Sequence, residues 1–532
     1  MAKFSILPLL LAGLLLSGCG LSEPLPPSEP VEIQLAPNEF RLASLPELEP
    51  FAAYSEISAR YYEEYADQLI PAEDYGRLYP FAGKSIYSPE HYIQQAVYGL
   101  CDAQGRIVVD PVYSGFTIWE DAGVELLSLY QYSDVPNREV FLYSGQWETM
   151  CVAAADGSWV TEEMMGYMLG MDASYFVTAS SPEYYEEEDG YRIVEHSQTI
   201  YVYNTEGQLL RSIENVEPLG YFEGTLSFRD SQGNARVQDI AGNTILEGFE
   251  EISPFYGTYA IAKLDNDRYV LVDREGNYDP EKDYTWLYYN ESNGYYDFIG
   301  GVLDENGEII PESRGRHGNG GSVQVDDFTG HRIIDDHDYE NKIFTLRDLD
   351  SGESFTKSGG DAWMSYLGNG WCSWITHVDD VLSMELYKLG DEEDSPPRHS
   401  IPDGDSCFLL NAQVVVIPLS SEITETNEFG ETSSYTAYTD VLFLDLESGE
   451  EIARVPGQLY WQLQNLGVLI DPPRDWNGGY LYNTKGERLL EGKYHAARGA
   501  GNGRWAISGS TYTGLLNENG EWIIRFCVNS LD

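Results

Sequence analysis

Basic residues are scarce in this sequence. It carries 31 lysines and arginines against 88 aspartates and glutamates, a formal net charge of −57 at pH 7. Nucleic-acid binding needs clustered basic side chains, and an anionic membrane surface repels so acidic a chain. We therefore predict no nucleic-acid partner, and neutral or cationic partners instead. Hydrophobic residues make up 42% of the chain and aromatic residues 13%, which favours a folded core over disorder.

Long apolar runs are missing beyond the first twenty residues. The most apolar later stretch, Ala412 to Leu419, is short and includes Gln413, whereas a transmembrane helix needs about 20 apolar residues. Near the start, Lys3 precedes an apolar stretch from Phe4 to Leu16. That length is typical of the core of a secretory signal, about 7 to 15 residues.

The segment after this stretch resembles the processing site of exported lipoproteins. Leu16-Ser17-Gly18-Cys19 is similar to the lipobox of bacterial lipoproteins, which implies a signal peptide over residues 1–18 and acylation of Cys19. An ordinary cleaved signal that happens to contain a cysteine is the alternative. We expect a cell-membrane protein, lipid-anchored through Cys19 and facing the extracytoplasmic side. Residues 19–40 are predicted to form an extended tether because prolines recur without periodicity, at Pro24, Pro26, Pro27, Pro30 and Pro37.

Cysteine pairs at metal-binding or redox spacing are absent. The five cysteines after Cys19 are far apart and form no Cys-x-x-Cys, which excludes a zinc knuckle and a thioredoxin-like motif. We predict that they behave as small buried hydrophobic residues. They are Cys101, Cys151, Cys372, Cys407 and Cys527.

Common catalytic motifs are also missing. No Gly-x-Ser-x-Gly occurs, and the glycine-rich stretch 315–321 lacks the Gly-Lys-Ser/Thr ending of a phosphate-binding loop. A glycosidase would use two carboxylates about 5 to 10 Å apart, but 88 acidic residues do not reveal such a pair. We predict no cofactor, no assigned catalytic residue and no enzyme activity.

One polar cluster contains candidate metal ligands. His317, His331 and His337 lie among aspartates between residues 317 and 338, and these side chains are suited to zinc, manganese or calcium. The spacing fits neither a helical pair nor one strand face, so an acidic loop is the alternative. Aspartates two residues apart, at 265 and 267, 348 and 350, and 403 and 405, resemble parts of calcium loops, but none completes an EF-hand, and hairpin turns are the favoured interpretation.

A recurring hairpin is the strongest internal signal. Strand-forming residues precede Asp or Asn, two or three polar residues, Gly, and further apolar residues. The side chain of Asp or Asn can accept backbone hydrogen bonds, and Gly can adopt the positive φ of the turn. Four of the steps between these glycines are 31 to 35 residues long (207 to 242, 242 to 276, 276 to 307 and 486 to 520), which indicates a repeat architecture. The copies are Leu100–Val109, Val202–Leu210, Val237–Leu246, Val270–Gly276, Val302–Ile310, Val441–Ile452, Leu481–Leu490 and Leu515–Ile524.

The first copy resembles a WG repeat. It begins Tyr98-Gly99-Leu100-Cys101-Asp102, continues to Gly105, and its second strand ends with Pro111 and Tyr113. The copies at Thr513–Gly520 and Gly300–Pro311 keep the centre of the motif but lack the leading aromatic residue. The resemblance covers about residues 65–320 and 480–524, and implies a β-rich repeat array.

We therefore predict an all-β fold, a repeat array of antiparallel β-hairpins that is β-propeller-like, with a short N-terminal helix over Phe51–Tyr65. An open β-solenoid is the alternative. Radial closure leaves few exposed strand edges, whereas a solenoid needs separate caps. The predicted segments after the tether are a helical cap and lead-in (41–90), a WG-like region (91–320), and further blade-like repeats (321–532).

The leading functional hypothesis is a non-catalytic binding scaffold for envelope glycans, peptides or proteins. Forty tyrosines and 11 tryptophans support it, because aromatic rings beside carboxylates bind sugars or cations. Strand packing is the alternative use of the pairs Tyr184-Tyr185, Tyr288-Tyr289 and Tyr295-Tyr296. The competing hypotheses are a propeller-type glycan-active hydrolase and a structural subunit of an envelope assembly.

Overall fold

The computed structural model describes residues 76–527, except 84–85, 89–92, 96, 114, 133–147, 188–189, 195, 265, 314–322, 339, 361, 379–380, 405, 427–431, 474–477 and 510. Within these residues the chain is all-β, as predicted, and a 3-10 turn at Pro311–Ser313 is the only helix. No helix in this part of the chain has the length and hydropathy needed to cross a membrane. Cys19, the tether and the helix predicted over Phe51–Tyr65 lie outside the described residues.

The chain divides into two compact units. Unit 1 comprises residues 1–255 and 492–532, and unit 2 comprises residues 256–491. The limit predicted between two repeat regions, at residues 320 and 321, falls within unit 2 and stays a prediction.

Unit 1 contains the first strands of the chain and the last four. The first strands are β1 (Tyr79–Ala82), β2 (Ile86–Ser88), β3 (Ile93–Gln95), β4 (Tyr98–Cys101), β5 (Ile107–Tyr113), β6 (Gly115–Asp121), β7 (Val124–Tyr132), β8 (Glu148–Ala154), β9 (Met164–Met171), β10 (Tyr175–Ser180), β11 (Tyr184–Glu187), β12 (Gly190–Ile193), β13 (Gln198–Asn204), β14 (Leu209–Phe222), β15 (Thr225–Arg229), β16 (Ala235–Asp239), β17 (Thr244–Glu247) and β18 (Glu251–Tyr256), which ends at the unit boundary.

Unit 2 holds the following strands: β19 (Tyr259–Lys263), β20 (Tyr269–Val272), β21 (Leu287–Asn290), β22 (Tyr295–Phe298), β23 (Gly301–Leu303), β24 (Val323–Val325), β25 (Arg332–Asp338), β26 (Ile343–Asp348), β27 (Ser354–Ser358), β28 (Ala362–Gly368), β29 (Trp371–Val378), β30 (Val381–Lys388), β31 (His399–Pro402), β32 (Phe408–Leu409), β33 (Val414–Thr426), β34 (Thr432–Asp445), β35 (Glu451–Pro456), β36 (Gln458–Leu463), β37 (Gly467–Asp471) and β38 (Tyr480–Asn483). The final strands, in unit 1, are β39 (Tyr494–Gly501), β40 (Arg504–Gly509), β41 (Tyr512–Leu516) and β42 (Trp522–Cys527).

The sheets are antiparallel meanders of about four strands. The sheets β24–β27, β28–β31, β32–β35 and β39–β42 each follow chain order, which is the strand arrangement of a propeller blade. Single bridges add a fourth segment to three-stranded sheets, at Leu303–Ile309 and Tyr482–Arg488. In unit 1 the long strand β14 pairs with both β13 and β15, so neighbouring meanders join into one sheet of ten strands from β6 to β17.

The repeated turn has the predicted hydrogen bonds. In one copy, Gly307 donates its N–H to the carbonyl of Asp304 at 2.9 Å, and Oδ1 of Asp304 accepts the N–H groups of Asn306 and Glu308, both at 2.9 Å. Gly307 has φ of +72°. The side chain therefore satisfies backbone donors that the reversal leaves free. The same pair of side-chain bonds occurs at Asp102, Asn204, Asp273, Asn483, Asn517 and, in a copy not predicted, Asp230.

A variant of this turn is one residue longer. Asp348 donates its N–H to the carbonyl of Glu353, and Gly352 donates to the carbonyl of Asp348, both at 2.9 Å. Asp326 and Asp445 begin turns of the same length, closed by Gly330 and Gly449. The extra residue explains why the middle of the chain departs from the motif while its sheets keep the same topology.

Several turn glycines press against the preceding sheet. An added Cβ at Gly307 would lie 2.8 Å from Cδ1 of Leu271, and one at Gly486 would overlap the side chain of Ala453. In the first copy, a Cβ at Gly105 would lie 2.6 Å from the carbonyl oxygen of Ile523, in the last strand of the chain. The first copy thus uses the last sheet as its preceding neighbour.

Other contacts within unit 1 join the same two sheets. The hydroxyl of Thr513 donates to the carbonyl of Gly83 at 2.8 Å, and the rings of Phe81 and Phe526 lie 5.7 Å apart. Both phenylalanines belong to one buried cluster with Leu515. These contacts pack the first and last sheets of the described residues against each other within unit 1.

Candidate functional site

Many basic side chains are held in contacts with aromatic rings. In unit 1, Arg77 lies 4.5 Å and Arg504 4.0 Å from the centre of the Tyr79 ring, and Arg77 also pairs with Glu125. In unit 2, Lys388 lies 4.7 Å from the Trp371 ring. These contacts engage several of the few basic side chains of the chain. The acidic excess is therefore left to face solvent and ligands.

An open pocket of about 480 Å³ lies between two successive repeats of unit 2. The turn that begins at Asp273 forms one wall, and the turn that ends at Glu308 forms another. The connecting segment 278–284 contributes aromatic and charged side chains. The main polar and aromatic lining residues are Tyr259, Asp273, Asn277, Tyr278, Asp279, Lys282, Tyr284 and Glu308.

An ion pair and hydrogen bonds hold the charged side chains at the rim of this pocket. Nζ of Lys282 and Oε1 of Glu308 form an ion pair at 3.0 Å, which raises the pKa of Lys282. Hydrogen bonds from the side chain and backbone of Asn277 lower the pKa of Asp273. A ligand would therefore meet the Asp273 carboxylate, which Asn277 holds in place. It would also meet the ion pair of Lys282 and Glu308, whose members can exchange each other for a charged ligand group, and tyrosine rings beside both. This combination suits amide, hydroxyl or ammonium groups.

A second groove, of about 510 Å³, lies in the sheets β28–β31 and β32–β35. Its lining mixes apolar, hydroxyl-bearing and charged side chains, and Arg454 forms an ion pair with Glu451 at 2.9 Å. It lacks the aromatic rings of the first pocket. The hydroxyl-bearing lining residues are Ser400, Ser420, Ser421 and Thr439.

The tyrosine pairs singled out in the sequence serve mainly as core. Tyr295 and Tyr296 are buried, and the Tyr289 ring stacks on Tyr256 at 4.3 Å. Strand packing, the alternative interpretation, is therefore correct for these three residues. Tyr288 is the exposed member, and the side chains of Tyr184 and Tyr185 lie outside the described set.

The candidate metal ligands are not brought together. His331 Nδ1 bonds to Asp348 Oδ2 at 2.7 Å, whereas His337 is buried with its ring 5.0 Å from that of Phe344. His317 lies outside the described residues. No group of three or more potential metal ligands occurs in the part of the chain that the structure describes.

The paired aspartates of unit 2 act in a turn and an ion pair. Oδ1 of Asp348 accepts the backbone N–H groups of Asp350 and Ser351, at 2.8 and 3.0 Å. Asp350 binds the guanidinium of Arg332, with Nε 3.1 Å from each carboxylate oxygen. The hairpin interpretation is thus correct at this position. Asp265 and Asp405 lie outside the described residues.

The cysteines that can be assessed are buried or half-buried thiols. Cys101, Cys151 and Cys372 are buried, and Cys407 is half-buried. Burial raises the pKa of Cys151 to about 12, and of Cys407 also to about 12. The prediction that these residues behave as small hydrophobic side chains is confirmed for the three buried thiols.

The pocket residues Tyr278, Lys282 and Tyr284 were not predicted as a site. They occur in the run Tyr278-Asp-Pro-Glu-Lys-Asp-Tyr-Thr-Trp286, which mixes aromatic and charged residues between two strands. That mixture is the signal by which they could have been found. Their convergence depends on how consecutive sheets pack, which no local pattern contains.

No protein-family model and no curated protein matches this sequence. Solved structures do show similarity. BamB from Moraxella catarrhalis is 12% identical with a TM-score of 0.23, covering 70% of this chain and 94% of its own. The dihydro-heme d1 dehydrogenase NirN is 12% identical with a TM-score of 0.21, covering 59% and 72%.

A prolyl endopeptidase structure is 10% identical with a TM-score of 0.25; the match covers 75% of this chain and 57% of the endopeptidase chain. The chain thus spans little more than half the length of that enzyme. Likenesses this distant carry no inference about ligand or activity. The fold assignment depends on the sheets and turns themselves.

Proposed function

We propose that the protein is a non-catalytic binding scaffold, anchored to a membrane through acylated Cys19 on the extracytoplasmic side. It is a divergent WG-repeat protein whose partners are neutral or cationic peptides, proteins or glycans of the envelope. The observation that carries this proposal is the open pocket of unit 2, where tyrosine rings and carboxylates from two successive repeats converge.

The physical argument starts from the shape of the pocket. It is concave and open, and its aromatic walls can bury an apolar or sugar face while the rim groups accept hydrogen bonds. The charge of −57 speeds encounter with cationic partners and repels polyanions. The lipobox-like sequence before Cys19 supports the anchor, since acylation holds a chain at the membrane.

The test uses the full-length protein, extracted from native membranes in detergent and applied to peptide and glycan arrays. Tyr278→Ala should weaken binding of the ligands found by about tenfold, which corresponds to about 1.4 kcal/mol. Tyr278→Phe keeps the ring and should bind as the wild type does. Tyr460→Ala removes another exposed tyrosine and is the control for a general surface effect.

Two results would reject the proposal. One is the absence of any specific ligand on both arrays. The other is an equal loss of binding in Tyr278→Ala and Tyr460→Ala. Intact-mass measurement of the same preparation tests the anchor, because the proposal requires loss of residues 1–18 and added acyl mass on Cys19.

The hydrolase and structural-subunit hypotheses predict different results. A hydrolase would release products from the glycans that it binds. A structural subunit would retain an envelope protein but no peptide or glycan from the arrays.

A further inference from the structure

The hairpin β21–β22 has two unlike faces. Leu287 and Tyr296 point into a buried aromatic cluster, with Tyr289 and Phe298 packed against it. Residues alternate between faces along a strand, so Trp286, Tyr288 and Asp297 belong to the opposite face. Tyr288 and Asp297 are direct cross-strand partners.

Asp297 is a buried carboxylate with one oxygen left unpaired. The residue is 8% exposed, and its Oδ2 accepts a hydrogen bond from Nδ2 of Asn290 at 3.1 Å. Its Oδ1 is buried and accepts no hydrogen bond. Among the described residues no basic side chain pairs with it. A buried carboxylate without a basic partner is costly, so the arrangement favours binding of an external cationic donor.

Two exposed rings lie beside this carboxylate. Trp286 is 46% exposed and Tyr288 is 39% exposed, and their ring centres are 4.6 Å apart. Hydrogen bonding to Asp297 raises the pKa of the Tyr288 hydroxyl, because the phenol lies beside the carboxylate in the cross-strand pair. Ile299, one residue beyond the end of β22, adds an exposed apolar side chain.

The geometry points to a receptor for a lysine or arginine side chain of a peptide or protein partner, with Asp297 pairing the cation and Trp286 and Tyr288 packing against it. Carboxylate and aromatic rings together are the surroundings that such cations favour. This inference rests on the proposed binding function and specifies the partner chemistry at a second face of unit 2, separate from the Tyr278 pocket.

A cationic side chain fits better than a sugar for two reasons. A neutral sugar could stack on Trp286 but would leave the Asp297 carboxylate without a cationic partner. The strongly acidic chain also favours a basic partner through charge complementarity. Exposed Ile299 gives an apolar neighbour of the basic residue a place to pack.

The experiment uses full-length protein in detergent and the peptides that the arrays identify. Each peptide is made in three versions, with lysine, arginine or the uncharged isostere norleucine at the basic position. Chitotetraose is the sugar probe. Tryptophan fluorescence and calorimetry measure binding at low and moderate salt.

Asp297→Asn keeps the shape of the side chain and removes its charge. We expect it to weaken the binding of lysine and arginine peptides at least tenfold. Trp286→Ala should weaken the binding of these peptides to a similar extent, and the norleucine versions should not bind at this face. Trp461→Ala removes a tryptophan that is 47% exposed in β36 and should leave binding unchanged. Higher salt should weaken only the charged versions.

A stability measurement keeps the test independent of folding defects. Asp297→Asn removes a buried charge that has no basic partner among the described residues, so its melting temperature without ligand should equal or exceed that of the wild type. A lower melting temperature would show that the hydrogen bonds to Asp297 already stabilise its charge, and would contradict the inference.

The outcomes separate this inference from the broader proposal. If peptides bind and depend on Tyr278 but not on Asp297, the cation receptor is rejected and the scaffold is retained. Equal binding of norleucine peptides, or Trp286-dependent binding of chitotetraose alone, also rejects it. If no peptide or glycan binds at all, the proposed function itself fails.

Discussion

His331 and Asp348 form an ion pair in which each member shifts the pKa of the other. Burial by itself raises the pKa of Asp348, but hydrogen bonds from the Ser351 backbone and from His331 lower it to about 2. The hydrogen bond to Asp348 raises the pKa of His331. In an unfolded chain the pKa of an aspartate is about 3.9 and that of a histidine about 6.5. Stability should therefore depend on pH on both sides of a central range.

The first prediction concerns Asp348→Asn, which keeps an acceptor for the turn but removes the charge. The wild type should exceed the variant in melting temperature most clearly between about pH 4 and 6.5. This difference in melting temperature should fall from about pH 4 towards 2, because Asp348 becomes protonated as the pH falls through its lowered pKa. It should also fall as pH rises through the raised pKa of His331. Thermal melts from pH 2 to 9 measure the difference.

His331→Gln is the control for this pair. It should abolish the decline on the alkaline side and retain most of the acidic one, since the backbone bonds to Asp348 persist. A difference between wild type and Asp348→Asn that is constant across pH would show that the pair does not couple folding to protonation.

The repeated turn is the element that local sequence defines best. Its parts are an acceptor side chain, two backbone donors within four residues, and a glycine with positive φ. Because all of them lie within five residues, the turns at Asp102, Asn204, Asp239, Asp273 and Asp304 were predictable from the sequence. The longer turns at Asp326 and Asp348 were harder to recognise, since one inserted residue changes the spacing but keeps the function.

Features that depend on distant residues were not predictable. The joining of meanders through β14 and the convergence of Tyr278 with Glu308 both arise from packing between sheets. Tyr288 and Tyr289 are neighbours in a strand, yet only Tyr288 is exposed, because alternate residues face opposite sides. The sequence shows the alternation but not which side a neighbouring sheet covers.

The second prediction tests the turn side chain at Asp304. Asp304→Ala removes the side-chain oxygen that accepts two backbone hydrogen bonds, each worth about 0.5 to 1.5 kcal/mol, so the free energy of unfolding should fall by about 1 to 3 kcal/mol. Asp304→Asn retains the accepting oxygen and should change it by less than about 0.5 kcal/mol, as the natural Asn copies indicate. Urea denaturation measures both. Equal losses in the two variants would mean that the carboxylate charge, and not hydrogen-bond acceptance, stabilises the turn.

At the scale of the whole molecule, the first repeat and the last sheet depend on each other. Gly105 contacts Ile523 across more than four hundred residues of sequence, and the hydroxyl of Thr513 bonds to the carbonyl of Gly83. Both contacts lie within unit 1, where the two ends of the described chain meet. Loss of the last sheet should therefore expose the buried residues of the first, including Leu100 and Phe81.

The third prediction tests that dependence with two glycines in the same turn position. Gly105 and Gly233 both have φ of +81°, so alanine at either should cost roughly 1 to 2 kcal/mol of backbone strain. An added Cβ at Gly233 meets nothing within 4 Å, whereas at Gly105 it lies 2.6 Å from the Ile523 carbonyl oxygen. Gly105→Ala should therefore destabilise the protein by about 1 to 3 kcal/mol more than Gly233→Ala.

Denaturation monitored by near-ultraviolet circular dichroism compares the two variants, and limited proteolysis of Gly105→Ala should cut first within the last sheet. Equal destabilisation, with no preferential cleavage there, would show that the first and last sheets are not packed together in solution.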